Sequence, residues 1–149
     1  MTYYIASDHA GVDFKAFVKE LFEKKGHEVV DLGPVNKDRV DYPDFAAKLC
    51  TEVIQNEGTK GILICGSGIG MSMAANKFNG IRAALCHNEY SAQMAREHND
   101  ANVLCLGERV SGEGMVEAIV NAWLGAEFEG GRHEGRVEKI NKLFGSCRV

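Results

Sequence analysis

From Ile62 to Ser72 an apolar run, Ile62-Leu63-Ile64-Cys65, breaks into Gly66-Ser67-Gly68-Ile69-Gly70 and then into helix-compatible sequence. The pattern reads as a buried strand, a tight loop and a helix start. The same alternation continues along almost the whole chain. Strands are expected at residues 3–7, 28–32, 61–65, 81–85 and 103–106. Phe14, Phe17, Val18, Leu21 and Phe22 recur at helical spacing, as do Phe45, Leu49 and Val53 behind a first-turn Pro43. Further helices are expected at 71–77 and 90–97, and on Met115, Ile119, Ala122 and Trp123 up to Gly125. A last one is expected at 135–144, carrying Val137, Ile140 and Phe144.

Strands alternating with helices imply an α/β fold, a three-layer sandwich in which right-handed crossovers cover both faces of a five-stranded parallel sheet. A chain of 149 residues without a repeat or linker is expected to form one domain, residues 1–149. In such sheets ligands bind beyond the carboxyl ends of the strands. Those ends carry Asp8-His9, the glycine loop, His87-Asn88 and Gly107-Glu108-Arg109. The last helix is followed by no strand, so its apolar stripe is expected to dock on a partner subunit.

The glycine loop can turn several backbone N–H groups into one concavity at a helix start, which suits a phosphate or a developing oxyanion. It is not Gly-x-Gly-x-x-Gly and lacks the Lys-Ser/Thr of a P-loop, so nucleotide binding is disfavoured. Cys65 stands at its rim as a candidate reactive thiol. The five cysteines fall in no zinc or disulfide spacing, and Cys50, Cys86 and Cys105 read as buried reduced thiols. No metal or cofactor is indicated.

A formal charge of -4 gives no support for a nucleic-acid surface. No apolar run nears the ~20 residues of a membrane span, and the first residues lack a signal-peptide pattern. A cytoplasmic protein is expected. Asp8 reads as a helix cap or an acid/base group, and His98-Asn99 as a helix C-cap or a site pair. His27 reads as a surface turn residue and His133 as part of an exposed loop. Arg132 and Arg136, four apart, would share a helix face suited to a phosphate dianion, or else pair with Glu129 or Glu134.

Five segments taken together, in order and in register, carry a resemblance. They are Ser7-Asp8-His9-Ala10-Gly11, Asp41-Tyr42-Pro43-Asp44, Gly66-Ser67-Gly68-Ile69-Gly70-Met71-Ser72, His98-Asn99 and Arg132/Arg136. The chain resembles the type B ribose-5-phosphate isomerases, whose wider family includes galactose-6-phosphate isomerase subunits. The resemblance implies a Rossmann-like sheet and metal-free interconversion of ribose 5-phosphate and ribulose 5-phosphate. By position, Cys65 would move a proton between C1 and C2. The amides of Gly66, Gly68, Ile69 and Gly70 would stabilise the cis-enediolate, and Ser67 would relay protons at the sugar oxygens.

His98 would open the furanose ring with help from Asp8. His9, Arg109, Arg132 and Arg136 would hold the phosphate, and Tyr42 and Asn99 the hydroxyls. One branch of the family uses a glutamate base just after the loop; Met71 stands there, which places this chain in the cysteine branch. The resemblance also implies a homodimer, or a dimer of dimers, with sites shared between subunits. Rival readings are a hexose-6-phosphate isomerase (galactose or allose) or its subunit, a non-catalytic sugar-phosphate-binding protein, and a cysteine hydrolase.

Overall fold

The computed structural model describes residues 1–143. Phe144, expected in the last helix, and Cys147 lie outside the described residues. The chain runs β1 (Thr2–Ser7), a single 3-10 turn (His9–Gly11), α1 (Val12–Lys24), β2 (Glu28–Asp31), α2 (Tyr42–Gln55) and β3 (Lys60–Cys65). It continues with α3 (Ile69–Ala75), β4 (Ala83–Leu85), α4 (Glu89–Glu97), β5 (Val103–Gly107), α5 (Glu113–Gly125) and α6 (Arg132–Lys142). Among the described residues no helix is long and apolar enough to cross a membrane.

All five strands are parallel, in the order β2-β1-β3-β5-β4. Handedness decides which face each helix covers. The connections β1→β2 and β4→β5 step one way across the sheet, β2→β3 and β3→β4 the other, and right-handed crossovers then put them on opposite faces. Accordingly α1, α4 and α5 pack Val18, Phe22, Ala92, Ala95, Ile119 and Trp123 on Tyr3, Ile5, Ile62, Ile64, Leu104 and Leu106. On the other face α2 and α3 pack Leu49, Cys50, Val53, Met71 and Ala75 on Ala6, Leu63, Cys65, Val103 and Cys105. The strand residues of the two sets alternate, as the two-residue period of a strand requires.

Trp123 ties the first layer together: it is fully buried, and its indole Nε1–H donates to the Tyr3 hydroxyl at 3.2 Å. The step from β1 to β2 on one side and to β3 on the other makes a switch point between β1 and β3, where loops diverge and leave a crevice. Asp8 and the glycine loop border it.

Two differences from the sequence expectation matter. Helix α6 starts at Arg132, not at residue 135, because Gly130 and Gly131 take positive φ (67° and 55°) and complete the turn within two residues. His133 is therefore not on an exposed loop but buried on the inner side of that helix. His27 is likewise no bare surface residue; its ring meets Tyr3 edge-on at 5.4 Å and Phe22 at 6.3 Å.

Candidate active site

Beyond the carboxyl ends of β1 and β3 lies an open cleft of about 670 Å³. Asp8, His9, Tyr42, Cys65, Ser67 and Arg109 line it together with the glycine loop. The loop is built by its glycines. Gly68 sits at φ +77°, and a Cβ there would lie 2.6 Å from Leu85 and 2.9 Å from the Leu106 backbone. A side chain at Gly70 would stand 2.5 Å from the Tyr42 ring, so the bare backbone lets that ring cover the start of α3.

The tight turn brings the Gly68 N–H to 3.2 Å from the Cys65 sulfur, donating to it. Cys65 is only 5% exposed, yet it borders the cleft. The sulfur thus sits under a fixed amide donor at the edge of the cleft. The other buried thiols are placed differently. Burial alone pushes Cys50 up to about 12, burial pushes Cys86 up to about 11, and Cys105, wholly enclosed, is raised well above its ordinary value. These three remain neutral core residues; the sequence reading of them as buried reduced thiols holds.

Neighbouring groups are fixed within the chain. One Asp8 carboxylate oxygen accepts from the Gly11 N–H at 3.0 Å, so the capping role is present and the same side chain still lines the cleft. His9 accepts from the Val40 N–H on Nδ1 at 3.2 Å. Its other nitrogen, Nε2, then carries the hydrogen and is the group that can donate. Arg109 lies over Gly66 at 3.6–3.7 Å from where a Cβ would be, held there because its N–H donates to the Gly66 carbonyl at 3.0 Å. Ser67 Oγ accepts from the Ile69 N–H at 3.2 Å. Glu108, unnoticed in the sequence as a titrating group, is raised above the usual carboxylate range by burial and by the Asp8 charge.

His98, Asn99, Arg132 and Arg136 do not join this cleft within one chain. Helix α4 runs back against the strands, so its end lies at the amino edge of the sheet. Asn102 there accepts from the Gly61 N–H at the start of β3. The two edges are separated by the strands themselves, about 20 Å for six residues. At that far end His98 stacks on His133, ring centroids 4.1 Å apart and planes within 15°.

His133 is lowered by burial, by His98 and by Arg132, with Glu129 opposing. Arg132 and Arg136 are exposed on α6, and among the described residues no carboxylate pairs with either. The expected alternative, salt bridges to Glu129 or Glu134, is not what the structure has.

Among the described residues one group of side chains could ligate a metal ion: His98, Glu129 and His133, with ligand atoms within 4.8 Å of one another. The fit is poor. The two rings stack face to face rather than converging on a point, and Arg132 flanks them with a positive charge.

A thiol under an amide, a glycine loop at a switch point and a carboxylate beside it make a cleft whose groups can transfer a proton and hold a small anion. Comparison with known proteins narrows the class. The family model described as Ribose/Galactose Isomerase matches residues 3–140. Ribose-5-phosphate isomerase B of Escherichia coli is 48% identical over 136 residues, 91% of each chain.

Among solved structures, Clostridium thermocellum ribose-5-phosphate isomerase B superposes with a TM-score of 0.93 at 51% identity, covering 96% of this chain and 97% of the other. The Mycoplasma genitalium ribose-5-phosphate isomerase B, solved with bound ribulose-5-phosphate, has a TM-score of 0.93 at 44% identity, covering 98% and 97%. The chain belongs to the ribose/galactose isomerase family.

Proposed function

We propose that this chain is an aldose–ketose isomerase that interconverts D-ribose 5-phosphate and D-ribulose 5-phosphate, a step of the non-oxidative pentose phosphate reactions of the cytoplasm. The observation that carries the reading is the Gly68 N–H donating to the Cys65 sulfur at the rim of the glycine loop. A carbon acid beside a carbonyl loses its proton slowly, because negative charge develops on oxygen. Fixed donors at that oxygen are worth ~10²–10³ in rate each.

In the reading, the Cys65 thiolate takes the C2 proton of the open-chain aldose. The electron pair moves to O1, and the cis-enediolate forms against the loop amides of Gly66 and Gly70, joined by those of Gly68 and Ile69 as they turn from the Cys65 sulfur and Ser67 Oγ. Cys65 then returns a proton to C1 while Ser67 relays one between O2 and O1. The chemistry is balanced without oxidant or metal.

The remaining roles need a second copy. His9 and Arg109 sit in the cleft and Tyr42 borders it, ready for phosphate and hydroxyls. His98, proposed to open the furanose with Asp8 assisting at the ring oxygen, lies about a strand length away. So do Asn99, Arg132 and Arg136. A two-fold homodimer that sets the amino edge of each chain against the cleft of the other completes two sites, one per chain. The guanidiniums of Arg132 and Arg136, which no carboxylate among the described residues pairs, are what such an edge needs to meet a phosphate dianion.

The test is incubation with ribose 5-phosphate in deuterated water, with chelator present, following the C1 and C2 protons by NMR. Ribulose 5-phosphate carrying deuterium at C1 is expected. Silence with the pentose, and turnover with galactose or allose 6-phosphate, would move the assignment to the hexose branch. Silence with all three would overturn it.

A further inference from the structure

The turn after α4 has to leave the helix and enter β5 within residues 98–102. To do so Asp100 adopts φ 45°, a left-handed conformation uncommon outside glycine, though aspartate takes it more readily than most residues. Two arginines hold the turn. Arg96 Nη1 donates to Asp100 Oδ1 at 3.1 Å and to the Ala101 carbonyl at 2.6 Å, and its guanidinium lies 5.5 Å over the Trp123 ring. Arg96 thus anchors the turn to the core.

Arg82, just ahead of β4, approaches from the other side. Its Nε–H is shared between the carbonyls of Asn99 (3.2 Å) and Asp100 (2.9 Å), and Nη2 reaches Asp100 Oδ2 at 3.4 Å. Its remaining arm, Nη1, donates to Asn141 Oδ1 on α6 at 3.2 Å.

One rigid, mostly buried fork therefore bonds both the His98–Asn99 turn and the helix that carries Arg132 and Arg136. The His98–His133 stack also joins these segments, but a face contact lets rings slide. The guanidinium bonds fix backbone carbonyls. Lysine could not reproduce this, since its ammonium lacks the planar spread of donors.

We propose that Arg82 is a positioning residue for the half-site at the amino edge of the sheet, setting His98 and Asn99 in register with the arginines of α6. The inference rests on the isomerase reading. In that reading ring opening and phosphate binding come from these two segments and must converge on one sugar phosphate. A misplacement of about 1 Å can cost ~10²-fold in rate.

The experiment compares wild type, Arg82→Ala, Arg82→Lys and Asn141→Ala with two aldoses. Ribose 5-phosphate is mostly ring-closed; erythrose 4-phosphate, whose O4 is phosphorylated, cannot form a furanose. Inorganic phosphate serves as a competitive inhibitor that reports on the arginines. Arg82→Ala is expected to lose roughly 10²-fold in kcat/KM with ribose 5-phosphate. It should lose less with erythrose 4-phosphate and be inhibited more weakly by phosphate; Arg82→Lys should recover only part.

A purely structural role predicts something else: a drop in apparent kcat that follows the folded fraction, with KM, phosphate inhibition and the ratio between the two aldoses unchanged. That outcome overturns the proposal. If Arg82→Ala does not fold, Asn141→Ala decides, because it removes only the bond to α6. A raised KM and weaker phosphate inhibition support the proposal, and wild-type values of both overturn it. No turnover by the wild type on either aldose would instead remove the pentose reading on which the proposal rests.

Discussion

The two ends of the sheet hold their polar groups in opposite ways. At the carboxyl edge three candidate groups are engaged inside the chain: Cys65 under the Gly68 amide, Asp8 on Gly11, His9 on Val40. At the amino edge the backbone is clamped, yet the working side chains are left open. Arg132 and Arg136 have no carboxylate among the described residues, and the buried His133 Nε2 has Glu129 Oε2 only at 3.5 Å, too loose for a formed hydrogen bond. A site for proton transfer needs its base and donors preorganised before substrate arrives. A site for a phosphate needs charges not already neutralised. In the proposed reading the base and its donors stand at one end with His9 and Arg109, the further phosphate arginines stand at the other, and each end alone would be half of a site.

The largest effect expected on this division is at the carboxyl edge. Cys65→Ala should lower kcat by ~10²–10⁴, the range for loss of a general base, while binding of ribose 5-phosphate measured by calorimetry survives. Replacing Cys105 by serine should test folding rather than chemistry, since that thiol is sealed in the core. Near-normal turnover by Cys65→Ala would erase the contrast between the ends.

A smaller effect is expected at the amino edge, from pH. His133 is lowered in the folded chain by burial, His98, Arg132 and Arg136, with Glu129 opposing. Its stabilising contribution is complete above the unfolded value near 6.5 and is lost as pH falls from there through the lowered folded value. His27, also lowered, adds the same sign. His133→Phe keeps a ring on His98 but cannot titrate, so its Tm should fall less than the wild type's between about pH 7 and 5. Equal slopes would show that the buried histidine is not what ties this end to pH.

Much of the fold was legible because burial imposes periodicity. The apolar runs around Ile5, Ile62 and Leu104 gave strands, and the stripes on α1 and α5 gave helices. Strand order was not legible, since β4 at the edge next to β5 follows from crossovers that no local pattern records. The fourth strand also starts later than the expected residue 81. Asn102 Oδ1 takes the Arg82 N–H, and the ladder begins at Ala83.

Cys65 and its loop were readable because the groups are adjacent in sequence. His133 was misread because Gly130-Gly131 looks like a loop, while its positive φ values make a turn that starts a helix at once. Arg82 gave no signal at all. Its partners lie 17, 18 and 59 residues away, which spacing cannot reveal.

The central claim is that the two ends meet across a dimer, and subunit complementation tests it directly. Cys65→Ala and His98→Asn would be purified separately, each nearly inactive on ribose 5-phosphate, then unfolded together, refolded and assayed. Random pairing makes half the dimers mixed, and each mixed dimer carries one intact site, so about a quarter of wild-type activity should return. If Cys65 and His98 worked within one chain, or His98 took no part, mixing would restore nothing beyond the sum of the two variants, and the shared-site account would be wrong.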